Sequence, residues 1–216
     1  MLTIIVWILA FIIAIVIHEV AHAYVADKLG DPTPRMMGRL TFNPIPHIDP
    51  IGTVLLPLTL IILRVPIIFG WAKPVMFDPY NLKNPKRDTA LISLAGPASN
   101  IILAVLLSII LRLMLLNPLS LLSSYALLLV PFISINVVLA IFNLIPVHPL
   151  DGGKILVGIL PKDQAYEADA FLKRYGTLIL FLLIIPILGG VSPISLFLSP
   201  ILTFVLGILI PGGLTV

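Results

Sequence analysis

The first apolar run of the chain ends in a cluster of ionisable residues, and this combination limits what the chain can fold into. Every residue from Leu2 to Ile17 except Thr3 is apolar, and the sequence HEVAH follows directly at 18–22. A helix that is apolar on all its faces is buried in a protein core or spans a membrane. The chain is 59% hydrophobic and 11% charged, against about 25% charged residues in soluble domains, and its mean hydropathy is +1.16. We therefore expect a polytopic membrane protein.

The composition excludes several kinds of site. The chain has no cysteine, so disulfides and thiolate metal sites are excluded, and any metal must be held by His, Asp or Glu side chains. The net charge is +3, but the Lys and Arg residues are scattered along loops and are not clustered with aromatic residues on one face. That distribution gives no indication of a nucleic-acid partner.

The apolar runs predict an all-α polytopic membrane fold of about five to six membrane helices. Two intervening stretches, 35–49 and 70–87, are broken by Gly and Pro and predict short membrane-associated β-strands with loops. We expect a single membrane domain over 1–216, with its core at 1–160 and its C-terminal membrane helices within 176–210. The predicted helices cover 2–26, 89–116, 121–146 and 151–160, an interfacial segment at 162–175, and apolar segments at 176–189 and 194–210.

The positions of Lys and Arg favour one topology. Cytoplasmic loops carry an excess of these residues. If the segment 51–69 is re-entrant, three groups of Lys and Arg residues lie on the same side of the membrane, and only Arg112 lies outside. Pro57 favours such a turn, and irregular backbone is tolerated in a membrane where protein buries it or it lines a cavity. The three groups are Lys28, Arg35 and Arg39; Arg64, Lys73, Lys83, Lys86 and Arg87; and Lys154, Lys162, Lys173 and Arg174.

This topology brings the cluster at 18–22 and Asp151 to one depth. The N-terminus lies outside and the first helix runs inward, so the 16 residues from Leu2 to Ile17 span about 24 Å of a hydrocarbon core about 30 Å thick. His18 then lies within the membrane near its cytoplasmic edge. The segment 121–146 also runs inward, so Asp151 reaches the same edge. We predict a site toward the cytoplasmic side of the plasma membrane.

The spacing of the pentapeptide indicates zinc chemistry. His18 and His22 lie on one face of a helix, where two imidazoles four residues apart bind zinc, and Glu19 between them acts as general base. Catalytic zinc typically has three protein ligands and an open position for water. Asp151 is the strongest candidate for the third ligand, because prolines before it force extended backbone and two glycines after it allow a tight turn. The alternative is that Asp151 caps the helix that follows it.

Three stretches of the sequence resemble the site-2 proteases, a family of intramembrane zinc metalloproteases. They are HEVAH at 18–22, SLAGPASN at 93–100 and FNLIPVHPLDGG at 142–153. The resemblance implies one zinc ion per chain held by His18, His22 and Asp151, with Glu19 as the catalytic acid and base. It also implies that Asn143 positions the substrate or the oxyanion.

The resemblance further implies how a substrate is held. Strand-like stretches, here 36–43 and 71–77, would pair with an unwound substrate segment, because a helix hides its peptide bonds and an edge strand can hold an extended chain. Gly96 and Pro97 predict close packing of one helix against the helices of the site.

Several residues keep more than one interpretation. Asn143 is a candidate substrate or oxyanion contact, and the alternative is a hydrogen bond between helices. His148 stands where the family often has an apolar residue or proline. It is a candidate substrate or oxyanion contact, a supporting loop residue, or a fourth zinc ligand, and a fourth ligand would displace the catalytic water. His47 is structural or faces the substrate.

These features predict an intramembrane zinc endopeptidase that hydrolyses transmembrane-helix substrates within or near the membrane. The expected partners are these substrates, the lipid bilayer and, as a candidate, a second copy of the chain in a homodimer. The alternative is a membrane metal transporter or metal-binding protein with the same ligands. A transporter needs polar groups across the membrane, which 101–116 and 176–210 hardly offer, and it has no need of a glutamate beside its first ligand.

Overall fold

One long helix lies at the centre of the described part of the chain. The computed structural model describes residues 2–55, 59, 62, 73–116, 121–186 and 191–211. The α-helices are α1 (Leu2–Lys28), α2 (Thr33–Met36), α3 (Pro85–Leu115), α4 (Leu121–Tyr125), α5 (Val130–Asn143), α6 (Asp151–Ile159), α7 (Lys162–Ile184) and α8 (Pro193–Leu209). Short 3₁₀ turns cover Ile45–His47, Pro79–Asn81 and Ala126–Leu129, and a π-helical turn covers Pro50–Leu55. The central helix is α3, which packs against α1, α5 and α6, while α5 also packs against α8.

Small side chains let α1 approach its neighbours closely. Ala10, Ala14, Ala23 and Ala26 are fully buried, and small residues at helix interfaces allow close backbone contact in membranes. A second contact joins α3, α5 and α8 through larger apolar side chains. Its buried members are Ala104, Leu111, Ala126, Val130, Ile133, Val137 and Ile210.

Large apolar side chains cover the outer faces of the helices. Ile4, Ile102, Leu106 and Phe204 are each more than half exposed, and extensive apolar exposure is rare on soluble monomers. Three helical stretches are long and apolar enough to cross a membrane, namely Ile4–Lys28, Pro85–Leu115 and Ser123–Asn143. The chain is therefore a membrane protein.

The predicted number of five to six membrane helices is not reached in the described residues, where three stretches have the required length and apolarity. α8 is apolar but has only 17 residues. The predicted boundary between 162–175 and 176–189 is also wrong, because Lys162–Ile184 forms one continuous helix. No proline interrupts this stretch, and a single glycine at the junction is tolerated within a helix. The predicted re-entrant turn at 51–69 lies mostly outside the described residues.

The predicted β-strand at 36–43 is wrong because the chain turns there. The N–H groups of Met36, Met37 and Arg39 bond to carbonyl groups four or five residues earlier in the chain. Gly38 ends this turn with a φ of 68°, a left-handed conformation that suits glycine. None of the residues that the structure describes lies in a strand.

The predicted strand at 71–77 is also wrong, although its described part is extended. From Lys73 onward the backbone finds hydrogen-bond partners other than a neighbouring strand. The N–H of Lys73 bonds to the carbonyl of His47 at 3.0 Å, and those of Val75 and Asp78 bond to side-chain carboxylates. These contacts replace the ladder of a sheet, and we call residues 73–78 the extended segment.

A buried carboxylate anchors the end of the extended segment. Asp31, which follows α1, is fully buried. It accepts hydrogen bonds from the N–H of Asp78 at 2.7 Å, from the side chain of Asn81 at 2.8 Å, and from the N–H and hydroxyl of Thr33 at 3.1 and 2.6 Å. Burial on its own would raise the pKa of this carboxyl, but the four hydrogen bonds outweigh it and hold the pKa of Asp31 below its usual value.

The substitution Asp31→Asn should destabilise the protein at neutral pH by about 1–3 kcal/mol, because an amide cannot accept all four hydrogen bonds. A carboxyl with a lowered folded-state pKa contributes stability above its unfolded pKa, about 3.9. That contribution is lost as pH falls through the folded-state pKa. Thermal unfolding in detergent should therefore separate the two proteins at pH 7, and the gap should close as pH falls below about 4.

A matched control for this test is Glu167→Gln, because Glu167 is exposed on α7. It should leave the unfolding temperature nearly unchanged at each pH. A stability difference between wild type and D31N that stays constant from pH 7 to pH 3 would contradict the role given to the Asp31 carboxylate.

Candidate metal centre

Side chains from α1 and from the start of α6 meet at one point. His18 and His22 are four residues apart on α1, so both rings project from one face. Asp151 is the first residue of α6, and its Oδ2 atom lies 3.1 Å from Nε2 of His18 and 3.2 Å from Nε2 of His22. All three residues are buried, and their candidate ligand atoms lie within 4.8 Å of one another. The structure thus brings these three sequence-predicted residues together.

Hydrogen bonds on the far side of each ring decide which nitrogen faces Asp151. Nδ1 of His22 lies 2.6 Å from the carbonyl oxygen of Ile92. A carbonyl can only accept, so Nδ1 of His22 carries the proton and Nε2 keeps its lone pair. Nδ1 of His18 lies 2.6 Å from Oδ1 of Asn100, and because an amide oxygen only accepts, Nδ1 of His18 is the donor and the same tautomer follows.

A chain of buried amides fixes the orientation of Asn100. Its NH₂ group donates to the carbonyl of Ala14 at 3.0 Å and to Oδ1 of Asn136 at 2.7 Å, which leaves its oxygen for His18. Asn136 donates in turn to the carbonyl of Phe132 at 2.8 Å. Both asparagines are fully buried. Partners of this kind hold the tautomer and ring orientation of metal-binding histidines.

The donor set fits a divalent cation. Two Nε2 lone pairs and one carboxylate oxygen converge, and the tautomers place no proton among them. Three acceptors at these distances repel one another unless a cation lies between them. Two imidazoles and one carboxylate are a ligand set of catalytic zinc, with a fourth position open. Asp151 does not occupy the capping position of α6, which is Leu150, and its carboxylate contacts the two histidines instead.

Gly96 of α3 leaves the space that an ion needs. A Cβ atom at this position would lie 2.4 Å from Nε2 of His22 and 2.6 Å from Nε2 of His18. The close packing predicted at Gly96 is therefore confirmed, and it occurs at the two ligand atoms themselves. Any side chain at residue 96 would occupy the point where the ligands converge.

The glycines after Asp151 serve close packing and not the predicted tight turn. Gly152 and Gly153 both lie within α6. A Cβ at Gly152 would lie 2.2 Å from the carbonyl oxygen of Ile145, and one at Gly153 would lie 2.9 Å from the backbone nitrogen of His148. Because glycine has no side chain, the start of α6 packs closely against the loop that precedes it. This packing fixes the position of Asp151.

The substitution Gly96→Ala should weaken metal binding by at least about tenfold, the lower end of the effect of disturbing the shell around metal ligands. The added methyl group would force both imidazole rings away from their present positions. Metal content measured by elemental mass spectrometry after dialysis tests this. The matched control is Gly207→Ala on α8, where a Cβ would meet nothing within 4 Å. A Gly96→Ala protein with full metal content would contradict the proposed position of the ion.

Glu19 lies beside the three ligands without joining them. Its Oε2 atom accepts the N–H of Val75, in the extended segment, at 3.0 Å. Glu19, Val75 and the three ligands line one cavity of about 540 Å³. A carboxylate next to a three-ligand centre, but not bound to it, is in position to act as a general base.

The rest of the cavity is mostly apolar. The walls come from α1, α3, α5, α7 and the extended segment, through Phe11, Ile15, Pro74, Phe77, Ile92, Leu139, Phe142, Leu180, Phe181 and Ile184. Ser93, Asn143, Lys154 and Thr177 add polar groups. The buried hydroxyl of Ser93 has no hydrogen-bond partner within the described ranges. A largely apolar cavity with a few polar groups is typical of a ligand-binding site.

Asn143 lines this cavity, whereas His148 is not among its lining residues. The NH₂ group of Asn143 donates to the carbonyl of Leu139 at 2.9 Å. Both residues belong to α5, so this hydrogen bond lies within one helix and does not join two helices. Nε2 of His148 lies 3.5 Å from Asp169 of α7, an electrostatic contact without hydrogen-bond geometry. Burial lowers the pKa of His148, so the ring is neutral at pH 7. His148 thus contacts α7 and stands outside the group of three ligands.

His47 has a structural position. It is fully buried, and its Nε2 atom lies 2.9 Å from the carbonyl oxygen of Thr41. Its own carbonyl accepts the N–H of Lys73. His47 therefore connects the turn at 41–47 to the start of the extended segment.

Sequence reasoning missed the amides behind the ligands and the contact to Glu19. Asn100 and Asn136 are polar residues inside apolar spans, and such residues usually have a function; that signal was available in the sequence. The hydrogen bond from Val75 to Glu19 comes from a backbone N–H, which no residue pattern marks. Likewise, no residue pattern indicates that the hydroxyl of Ser93 lacks a hydrogen-bond partner among the described residues.

Comparison with known proteins agrees with this geometry. The sequence profile of peptidase family M50 matches residues 120–185. YwhC of Bacillus subtilis, assigned as a zinc metalloprotease, is 38% identical over 85% of this chain and 81% of its own length. Rip2 of Mycolicibacterium smegmatis, assigned likewise, is 30% identical over 81% of this chain and 64% of its own length. A zinc metalloprotease of Methanocaldococcus jannaschii is 30% identical over 74% of this chain and 37% of its own length.

The match to YwhC covers most of both chains and is not confined to an isolated motif. No solved structure matches the chain. The relatives and the buried group of two histidines and one aspartate agree on the cofactor, which is zinc. The chain therefore belongs to peptidase family M50, the site-2 proteases, and is a zinc metalloprotease.

Proposed function

We propose that this zinc metalloprotease is an intramembrane endopeptidase, which hydrolyses peptide bonds of transmembrane-helix substrates within or near the membrane. The observation that carries this proposal is the position of Glu19. It lies within the second half of the candidate membrane-spanning stretch Ile4–Lys28, and it lines a largely apolar cavity of about 540 Å³ together with the three candidate ligands. An apolar cavity at this depth suits an apolar peptide.

The chain's residues divide the chemistry between them. His18, His22 and Asp151 would hold the ion. Zinc, when bound, supplies Lewis-acid chemistry that acidifies water and polarises a carbonyl. Glu19 takes a proton from the attacking water and passes it to the amide nitrogen as the C–N bond breaks, so that a carboxylate and an amine leave. The N–H of Val75 holds the Glu19 carboxylate in place during these transfers.

Asn143 is our candidate for a contact to the substrate or its oxyanion. It lines the cavity, and one of its two N–H bonds is used by Leu139. The second N–H is directed by that first bond and is available as a donor. A preorganised donor at the position where negative charge develops stabilises the transition state.

The substrate must be extended where it is cut. In a helix each peptide N–H bonds to the carbonyl four residues earlier and side chains surround the backbone, so neither water nor Glu19 can reach a scissile bond. Local unwinding removes this protection. The apolar walls of the cavity would then contact the apolar side chains that the unwound segment carries.

We also propose that the site opens toward the cytoplasmic side of the plasma membrane, and that residues 1–216 form one catalytic domain. The orientation is supported by the basic loops, which carry 12 of the 13 Lys and Arg residues on one side in the re-entrant topology. The single domain is supported by α7, since Leu180, Phe181 and Ile184 line the cavity that holds Glu19. α7 thus contributes part of the wall of the cavity.

The transporter hypothesis has less support. A transporter would need polar groups along a path through the membrane, whereas most of the residues that line the cavity are apolar. The cavity walls along α5 and α7 are mostly apolar, which favours a peptide over an ion as the molecule that enters.

Reconstitution with a model substrate tests the proposal. The purified protein and a single-span membrane substrate should be incorporated into the same liposomes, and the products separated by electrophoresis. We expect cleavage that stops when a chelator removes the metal and returns when zinc is added back. Cleavage that continues in the metal-free protein, or a wild-type protein that never cleaves a membrane-spanning substrate, would contradict the proposed function.

A further inference from the structure

Lys154 provides a charge in the cavity that the proposed chemistry does not use. Among the lining residues that the structure describes, it is the only Lys or Arg. Lys154 follows Asp151 by three residues on α6, and residues three apart lie on the same helix face. The lysine therefore shares the face of α6 that carries the candidate metal ligand.

No carboxylate of the described residues forms an ion pair with this lysine within 4 Å. The contacts of Asp151 at that range are to His18 and His22, and Oε2 of Glu19 accepts the N–H of Val75. What lies near Lys154 is an aromatic ring, since its Nζ is 5.5 Å from the centroid of Phe77 in the extended segment. A cation–π contact places an ammonium group but leaves its charge and its hydrogen-bond donors available.

The location of Lys154 is unfavourable for the stability of α6. The N-terminal end of a helix carries a partial positive charge, so a lysine there is repelled, and lysines that stabilise helices lie at the C-terminal end. A lysine at this depth ordinarily extends its aliphatic side chain so that the ammonium group reaches the lipid headgroups. Lys154, however, lines the cavity beside Phe77. Both the ammonium group and the amino-terminal end of the helix favour a negative ligand.

We propose that Lys154 forms an anion subsite in the cavity, which binds a carboxylate of the peptide. This inference rests on the proposed function. Two carboxylates fit the chemistry: an acidic side chain of the substrate close to the scissile bond, or the new carboxylate that hydrolysis creates at the end of the amino-terminal product. In the first case Lys154 determines sequence specificity, and in the second it determines how tightly the product is held.

A substrate scan tests the first source. The cleaved bond of a model substrate is mapped, and Asp or Asn is placed singly at each of the four positions on either side of it. The wild type should favour Asp over Asn at one position by about five- to tenfold in kcat/KM, the range of a partly desolvated charged hydrogen bond. This ratio should fall to about one in Lys154→Gln, and Lys154→Glu should instead favour a substrate lysine at that position. Lys162→Gln, an exposed lysine at the start of α7, is the matched control and should keep the wild-type ratio.

Product binding tests the second source, without any turnover. Amino-terminal product peptides that end in a carboxylate or in a carboxamide are titrated into the zinc-loaded Glu19→Gln protein by calorimetry. If the product is the source, the carboxylate should bind about five- to tenfold more tightly than the amide, and adding Lys154→Gln should remove that difference.

A preference for acid in either arm that depends on Lys154 supports the subsite and identifies its source. The subsite is refuted if neither arm shows such a preference, or if the preference persists in Lys154→Gln. Failure of the protease proposal is a separate result, because it would show as absence of cleavage in the wild type. The ratio of acid to amide binding in the calorimetric arm does not depend on cleavage.

Discussion

Replacing Glu19 with glutamine should abolish peptide hydrolysis while the protein keeps its zinc. Glu19 lies next to His18 and His22 but outside the group of candidate ligands, so its loss does not remove a bond to the ion. Glutamine retains the size of the side chain and an oxygen that can accept the N–H of Val75. It cannot take a proton from water. We expect kcat to fall by at least about 10³-fold, within the range for loss of a general acid–base group.

Two readouts separate this outcome from simple unfolding. The zinc content of Glu19→Gln, measured by elemental mass spectrometry, should match that of wild type, and its thermal unfolding temperature should be similar. Glu167→Gln, an exposed glutamate on α7, is the matched control and should cleave normally. A Glu19→Gln protein that still cleaves at the wild-type rate would remove Glu19 from the mechanism.

The substitution Asp151→Asn should remove both activity and zinc. The carboxylate oxygen of Asp151 lies 3.1 and 3.2 Å from the two imidazole nitrogens, and it is the only negative charge in the ligand set. Loss of an outer-shell partner already weakens metal affinity by 10–100-fold, so loss of a direct ligand should weaken zinc binding by more than about 100-fold. Competition with a fluorescent zinc chelator gives the affinity, and the cleavage assay gives the activity.

The combination of readouts distinguishes Asp151 from Glu19. Asp151→Asn should lose zinc and cleavage together, whereas Glu19→Gln should lose cleavage alone. Asp163→Asn, an exposed acid in the first turn of α7, should lose neither. Full zinc occupancy in Asp151→Asn would show that the third ligand lies elsewhere in the chain.

Part of the site could be predicted from the sequence because helix periodicity is local. Two histidines four apart on an apolar helix must face the same way, whatever the rest of the fold. Asp151, more than 130 residues later, was brought to the same depth by the distribution of Lys and Arg alone. The structure places it in contact range of both rings. Gly96, which lies in an apolar span, likewise predicts close packing between helices. In the structure this close packing occurs at the imidazole nitrogens of His18 and His22.

The failed prediction of a strand at 71–77 depends on long-range hydrogen bonds. The extended segment reads as a strand from its composition, but the N–H groups of Val75 and Asp78 bond to Glu19 and Asp31, which are distant in sequence. A pattern of residue types carries no information on which acceptor a backbone N–H will find. The charges at 162–175 predict a separate interfacial helix. In the structure, helical hydrogen bonding continues from Lys162 to Ile184, because no proline interrupts this stretch.

The central claim is that Glu19 and its metal centre cut peptide bonds inside the membrane, and mapping the cut tests it most directly. A single-span substrate of known orientation is reconstituted with the zinc-loaded enzyme, and the masses of both products are determined. We expect a cut within the membrane-spanning segment, in its cytoplasmic half, which Glu19→Gln does not make. Cuts confined to the water-exposed flanks of the substrate would contradict it.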